Sequence, residues 1–216
     1  MADTRSVDKR SVDKQPVDKR SVGRPRQFND DVEHRLILDA AYVALRDRGA
    51  DFTIADILSA AGVSTRSFYR HFDSKDALLQ AMYLRDGQWA ADRLAKRLAD
   101  ATSPRRAVEL WIDEIFTFTS SHRRAERVSV LGSITGLRTD QPNAVVTQAR
   151  ALLTESLRLA IESGATIGAF TVADTDNATE LVAAAVMHAA GLAMATRSLD
   201  QAQTTEFCLR ALGAAW

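Results

Sequence analysis

The sequence predicts an all-α fold, and three observations carry that prediction. Apolar residues make up 46% of 216 positions while Gly (10) and Pro (4) are scarce, a mixture that favours helix over sheet. Apolar side chains recur at three- and four-residue intervals, as in Leu36, Ile37, Ala40, Ala41, Ala44 and Leu45. Ser, Thr or Asp precedes most such runs, where a side-chain oxygen can accept from the unsatisfied N–H groups of a first helical turn. No alternating run bounded by turn residues argues for a sheet.

Residues 1–26 read as a tail rather than an element. The units "SVDKR", "SVDKQ", "PVDKR" and "SVGRP" repeat every five residues, a period that matches neither helix nor strand, so the valines cannot line one face. Eight basic and four acidic residues fall here, and the segment is expected to be disordered. The first helix is expected over residues 30–48, with Gly49 ending it. Thr53 caps a second over Ile54 to Ala60, Gly62 breaks the chain, and Ser64 caps a third over 65–71. Two short helices joined by a glycine-containing turn form a helix-turn-helix. Ser74 caps a long fourth helix beginning "KDALLQAMY".

The rest of the chain continues in helices. Ser103 and Pro104 open one through "AVELWIDEIFTFTSS"; Asp140 and Pro142 open another that ends between Gly164 and Gly168. Asp174 or Thr175 opens an apolar helix ending near Ser198, and "TTEFCLRALGAA" is the last. This divides the chain into the tail (1–26), a helix-turn-helix domain (27–75) and a larger helical domain (76–216).

The stretch "AGVSTRSFYRHF" poses the functional question, because the chain is neutral overall with 28 basic and 28 acidic residues. On a helix, Phe68 and Phe72 share a face and can pack on Ile54, Ile57, Leu58 and Val63. Thr65, Arg66 and Tyr69 then point outward, with Arg70 beside them. Arg can take guanine bidentately in the major groove, and hydroxyls can reach bases or phosphate. Lys75 sits at a helix N-terminus that suits a phosphate. Residues 27–60 carry seven acids and three bases, so positive charge is local to this stretch. The plainer reading is a surface helix with solvated arginines. Upstream, Arg24 and Arg26 flank Pro25 in "GRPR", an extended arm suited to a narrow minor groove.

These residues also carry a family resemblance. "ILDAAYVALRDRGADFTIADILSAAGVSTRSFYRHFDSKDALL" resembles the DNA-binding region of the TetR family of transcriptional regulators. The resemblance covers roughly residues 33–80 and is strongest in "AGVSTRSFYRHFDSKDALL". It implies a three-helix DNA-binding unit, a divergent helical region for ligand binding and dimerisation, and repression relieved by a small molecule. It further implies that Thr65, Arg66 and Ser67 face bases while Thr53, Tyr69 and Lys75 hold phosphates. The family often has a small residue, commonly Gly, where this chain has Arg66. That departure implies an added base contact, or a phosphate contact in its place.

Beyond residue 80 the sequence offers surfaces rather than motifs. Met82, Trp89, Trp111, Phe116, Met187 and His188 are candidates for a pocket taking a small apolar or amphipathic effector, each set against an ordinary core role. "LVAAAVMHAAGLAMA" (181–195) is apolar nearly all round and must be covered on more than one side. Ala184, Ala185, Ala189 and Gly191 allow close helix approach, and with Phe207 they predict a two-fold dimer interface. The expected partners are a palindromic double-stranded DNA operator, a second copy of the chain and an effector, with no membrane.

Other chemistries find little support. His34, His71, His122 and His188 lack metal-ligand spacing, and no cofactor is expected. Neither a phosphate-binding glycine loop nor a nucleophile elbow occurs. An enzyme would have to use His188 or His122 with Glu180 or Glu126, and the expectation is that the chain is not one. Two further readings stay open: a DNA-binding regulator that takes no ligand, and a helical dimer that binds no DNA. The lone Cys208 excludes an internal disulfide and suits a reducing cytoplasm, the expected location.

Overall fold

A computed structural model describes residues 29–120, 144–196 and 200–214. The repeat tail, with Arg24 and Arg26, lies outside the described residues, as do His122, Glu126, Asp140 and Pro142.

Every regular element among the described residues is helical. In order they are α1 (Asp30–Arg48), a single 3-10 turn (Gly49–Asp51), α2 (Ile54–Ala61), α3 (Thr65–His71), α4 (Lys75–Leu98), α5 (Pro104–Ser120), α6 (Ala144–Thr166), α7 (Thr175–Thr196) and α8 (Gln201–Ala211). The expected punctuation does the terminating. Thr53 and Asp56 form a reciprocal capping box at α2, Ser64 accepts from Ser67 N at 3.1 Å, and Ser74 accepts from Ala77 N at 3.0 Å. Gly62 adopts the left-handed region (φ 66°), which lets the chain turn directly from α2 into α3. The last helix starts earlier than its apolar pattern predicts, because the Asp200 side chain caps it by accepting from Ala202 N at 3.0 Å.

Among the described residues two hydrophobic cores form. The first joins α1 to α3 and the start of α4 through Ile37, Ala41, Phe52, Ile57, Phe68, Phe72, Leu78, Leu79 and Met82. The second joins the end of α4 to α5, α6, α7 and α8 through Leu94, Val108, Trp111, Ile112, Leu157, Ile161, Val186 and Leu209. Each large side chain fully withdrawn from water contributes about 1.5–3 kcal/mol, so both units have a substantial apolar drive. The boundary expected from sequence, after residue 75, falls at the first residue of α4, but α4 belongs to both cores: Leu78 to Met82 serve the first and Leu94 the second. At about 1.5 Å per residue its 24 residues make one rigid rod about 36 Å long between them.

An ionic seam fixes the far end of that rod. Glu114 on α5 is 1% exposed and accepts from Arg93 on α4, with Arg97 Nε 3.3 Å away. Arg97 also bonds Asp113, which accepts from Gln201 Nε2 of α8 at 3.0 Å. No helix among the described residues is long and apolar enough to cross a membrane.

Candidate nucleic-acid interface

The site is built from α2, the Gly62 turn and α3, resting on α1. Phe68 is fully buried and Phe72 nearly so, which fixes the inner side of α3. Thr65, Arg66 and Tyr69 stand on its outer side, exposed. Tyr69 is 51% exposed and meets Phe68 edge-to-face, ring centroids 5.3 Å apart, so its ring is braced while its hydroxyl end faces solvent. Arg66 forms no ion pair with any described residue, so its guanidinium is available to a partner.

Other predicted contact residues are engaged within the protein. The Thr53 hydroxyl bonds Asp56 Oδ2 at 2.7 Å, and Asp56 also accepts from the Thr53 backbone N–H. These hydrogen bonds hold the Asp56 carboxyl below its usual range. Lys75 directs its ammonium inward, donating to the Phe52 carbonyl and lying 4.1 Å from the Phe52 ring centroid. Arg70 turns toward α1, where it bonds the carboxylate of Glu33, and Ser67 is half-buried on α3. Arg70 additionally lies 3.3 Å from Asp30 Oδ1, so its guanidinium packs on α1 instead of beside Arg66.

Glu33 is the residue that the sequence pattern passes over. It is only 6% exposed, and His71 Nε2 lies 3.4 Å from its Oε2. Burial pushes its carboxyl up, but the hydrogen bonds from Ser67 and His71 and the charges of Arg70 and His71 outweigh that and hold it below the usual range. Its position four residues before Ile37, on the stripe that continues through Ala41 and Ala44, is the available signal: an acid where the helix faces inward. Asp30, Glu33 and His71 bring ligand-type atoms within 4.8 Å of one another, but the Arg70 guanidinium already bonds both carboxylates there.

Of the predicted effector residues, Trp111, Phe116 and Met187 gather at the second core and the other three do not. Met82 lies in the first core, where its apolar chain fills the α1–α4 junction. Trp111 is fully buried in the second core and donates its indole N–H to the Leu153 carbonyl at 3.0 Å, while Phe116 packs in the same core. Met187 is half-buried against that core and His188 is exposed. Trp89 is 47% exposed and packs on Phe118, centroids 5.4 Å apart, beside an open cleft lined by Arg93, Lys96 and Arg97. The predicted dimer residues divide as well. Ala184, Gly191 and Phe207 are exposed and Ala185 is half-buried, but Ala189 is 5% exposed because it packs into the chain's own second core.

The fold and this outer α3 face define a helix-turn-helix unit joined to a larger helical one. Residues 37–82 match the family of bacterial regulatory proteins, tetR family. A curated relative, an uncharacterized HTH-type transcriptional regulator YvdT of Bacillus subtilis (strain 168), is 31% identical over 100 residues. That match spans 46% of this chain and 50% of the relative, so it covers about half the relative's length. Among solved structures, RolR in complex with resorcinol superposes with a TM-score of 0.60 at 22% identity, covering 86% of this chain and 89% of that one. The reduced form of E. coli NemR gives a TM-score of 0.64 at 18% identity, covering 85% and 99% respectively. Residues 37–82 thus carry the DNA-binding signature of the tetR family, and the helices that follow share the fold of the solved structures named here.

Proposed function

We propose that the protein is a homodimeric repressor that places α3 of each subunit in the major groove of a near-palindromic operator and is released by a small molecule. The observation that carries the reading is the outer face of α3, where Arg66 is unpaired among the described residues beside exposed Thr65 and Tyr69. Arg66 reads a base, Thr65 assists it, and Tyr69 donates to a phosphate. The exposed stripe Leu181, Ala184, His188 and Gly191 on α7, with Phe207 on α8, supplies the self-complementary face for the second subunit.

A small-molecule trigger is supported by the likeness in fold to RolR bound to resorcinol and by the α4 rod, which runs from the DNA-binding core into the second core. The expected effector is apolar or amphipathic and enters the second unit near Trp89 and Trp111. A regulator without a ligand is the second reading, favoured by the tight closure around Trp111.

Selection of binding sites from random duplexes, followed by Arg66→Ala on the selected site, tests the DNA reading. The expected result is a palindromic consensus, with a loss of about 1–3 kcal/mol and relaxed choice at one position. Equal losses on all sequences would make Arg66 a phosphate contact, and no selected consensus would defeat the reading. Titrating resorcinol-like and longer amphipathic ligands by Trp fluorescence, with and without operator, separates the two regulatory readings, since coupling must be reciprocal.

A further inference from the structure

We propose that Glu33 is the positioning residue of the DNA interface: its buried carboxylate draws Arg70 and His71 onto α1 and so sets the angle at which α3 presents Thr65, Arg66 and Tyr69. This rests on the DNA-binding reading above.

The helix needs such a device. It has seven residues, of which only Phe68 is buried, with Phe72 immediately beyond its end. Two neighbouring rings hold it down but leave rotation about its axis weakly determined, and one residue of helix corresponds to about 100° of rotation. Glu33 removes that freedom. Arg70 and His71 are consecutive residues of the last turn of α3, with Ser67 one turn before them. Arg70 and His71 reach the same carboxylate, which is 7% exposed at its side chain, while the Arg70 side chain stays half-exposed. Turning α3 by even one position would pull these partners away and leave an ionised carboxylate buried alone, a heavily penalised state. The carboxylate of Asp30 catches the same guanidinium at 3.3 Å, so Arg70 has two partners on α1.

Arg70 is then a positioning group too, not a phosphate contact. That separates two behaviours. A phosphate contact releases counterions, and its loss lowers the slope of log affinity against log salt by about 0.9. A clamp does not touch DNA, so its loss leaves the slope alone and weakens the operator selectively. Glu33→Gln gives a second distinction through its sign. Removing a negative charge near a polyanion should tighten binding if Glu33 acts only through its field. Loosening α3 should weaken binding.

The experiment measures affinity of the full-length protein for a selected operator and for a scrambled duplex across a salt series. The variants are Glu33→Gln, Arg70→Gln, Arg70→Lys and the double Glu33→Gln/Arg70→Gln. The proposal expects each Gln variant to weaken operator binding about 10-fold or more with unchanged salt slope and scrambled-duplex affinity. It expects the double variant to lose little beyond either single one, and Arg70→Lys to recover part of the loss. A slope lowered by about one unit in Arg70→Gln overturns it, as does operator binding by Glu33→Gln at wild-type strength or tighter. Should Glu33→Gln fail to fold by circular dichroism, the slope and Lys rescue at Arg70 still decide. If wild-type protein prefers no duplex sequence, the DNA reading itself fails, a result distinct from all of these.

Discussion

The Tyr42 hydroxyl on α1 lies 2.9 Å from Asp86 Oδ1 and 3.0 Å from the Met82 carbonyl, both on α4. One turn away, Arg85 of α4 sits 5.7 Å above the Tyr42 ring and bonds Asp39 of α1 at 3.0 Å. The rod is thus riveted to α1 where it leaves the first core, and α1 in turn holds α3 through Glu33. Tyr42→Phe keeps the ring and removes the hydroxyl. We expect it to cost about 0.5–1.5 kcal/mol of stability, a drop of a few degrees at most in thermal midpoint, since about 1 kcal/mol shifts a chain of this size by about 2–4 °C. Effector release of DNA should weaken along with it. Unchanged release in a variant with the lowered midpoint would separate the rivet from the transmission path.

Lys75 yields a different prediction from the one its sequence position suggests. Its ammonium donates to the Phe52 carbonyl and lies over the Phe52 ring, tying the start of α4 to the loop before α2. Lys75→Ala should therefore lower thermal stability, by about 0.5–1 kcal/mol from the ring contact alone. Any loss of DNA affinity should be alike on operator and scrambled duplexes. A variant with wild-type melting and a reduced salt slope would show that Lys75 serves phosphate only.

The features legible from sequence are those decided within a few residues. Thr53 with Asp56, Ser64 with Ser67, and Ser74 with Ala77 are local hydrogen bonds, and Gly62 answers a local backbone need. The inward pair Phe68/Phe72 and the outward Thr65, Arg66 and Tyr69 follow from one helical period. Arg70 and Lys75 are not legible in that way, because their partners, Glu33 and Phe52, lie 37 and 23 residues away. Spacing alone cannot say that a long cationic side chain has a carboxylate or carbonyl waiting on another element. The same holds for the pocket: Met82 and Trp111 look alike as large apolar residues on helices, but α4 carries the first into one core and packing of α5 on α6 carries the second into the other.

The proposed dimer face gives a prediction that does not depend on DNA. Leu181 and Phe207 are each 64% exposed, large apolar side chains on adjacent packed helices α7 and α8. Leu181→Asp or Phe207→Asp places a charge where a partner would dry the surface, while touching neither core. We expect sedimentation at micromolar concentration to change from dimer to monomer, with helicity retained. Operator affinity should fall sharply because two half-sites would no longer be engaged together. A wild-type monomer would contradict the dimer itself, and an unaffected dimer in both variants would place the interface elsewhere.

Glu33 and His34 are neighbours on α1 whose ionisation should make stability fall with acid in two stages. Burial lowers the His34 pKa from its ordinary 6.5, and the charges of His71 and Arg85 lower it further against the opposing pull of Asp31. The unfolded chain therefore binds the extra proton first, so stability declines as pH drops below about 6.5 until the folded-state value is passed. Glu33 has the carboxylate sign. Its folded pKa is held below 4.5, so its contribution is fully present above 4.5 and is lost as pH falls through the folded value. His34 packs on Phe72 with centroids 4.8 Å apart, so His34→Phe can keep a ring in place without a proton to bind. Thermal midpoints followed from pH 7.5 to 3.5 by circular dichroism should show His34→Phe flatter than wild type in the upper stage only. Glu33→Gln should start lower at neutral pH and lose less below 4.5, where Asp56, Asp113 and Glu155, also held low, still titrate. Curves for His34→Phe and wild type that run parallel between pH 7 and 5 would remove His34 from the account.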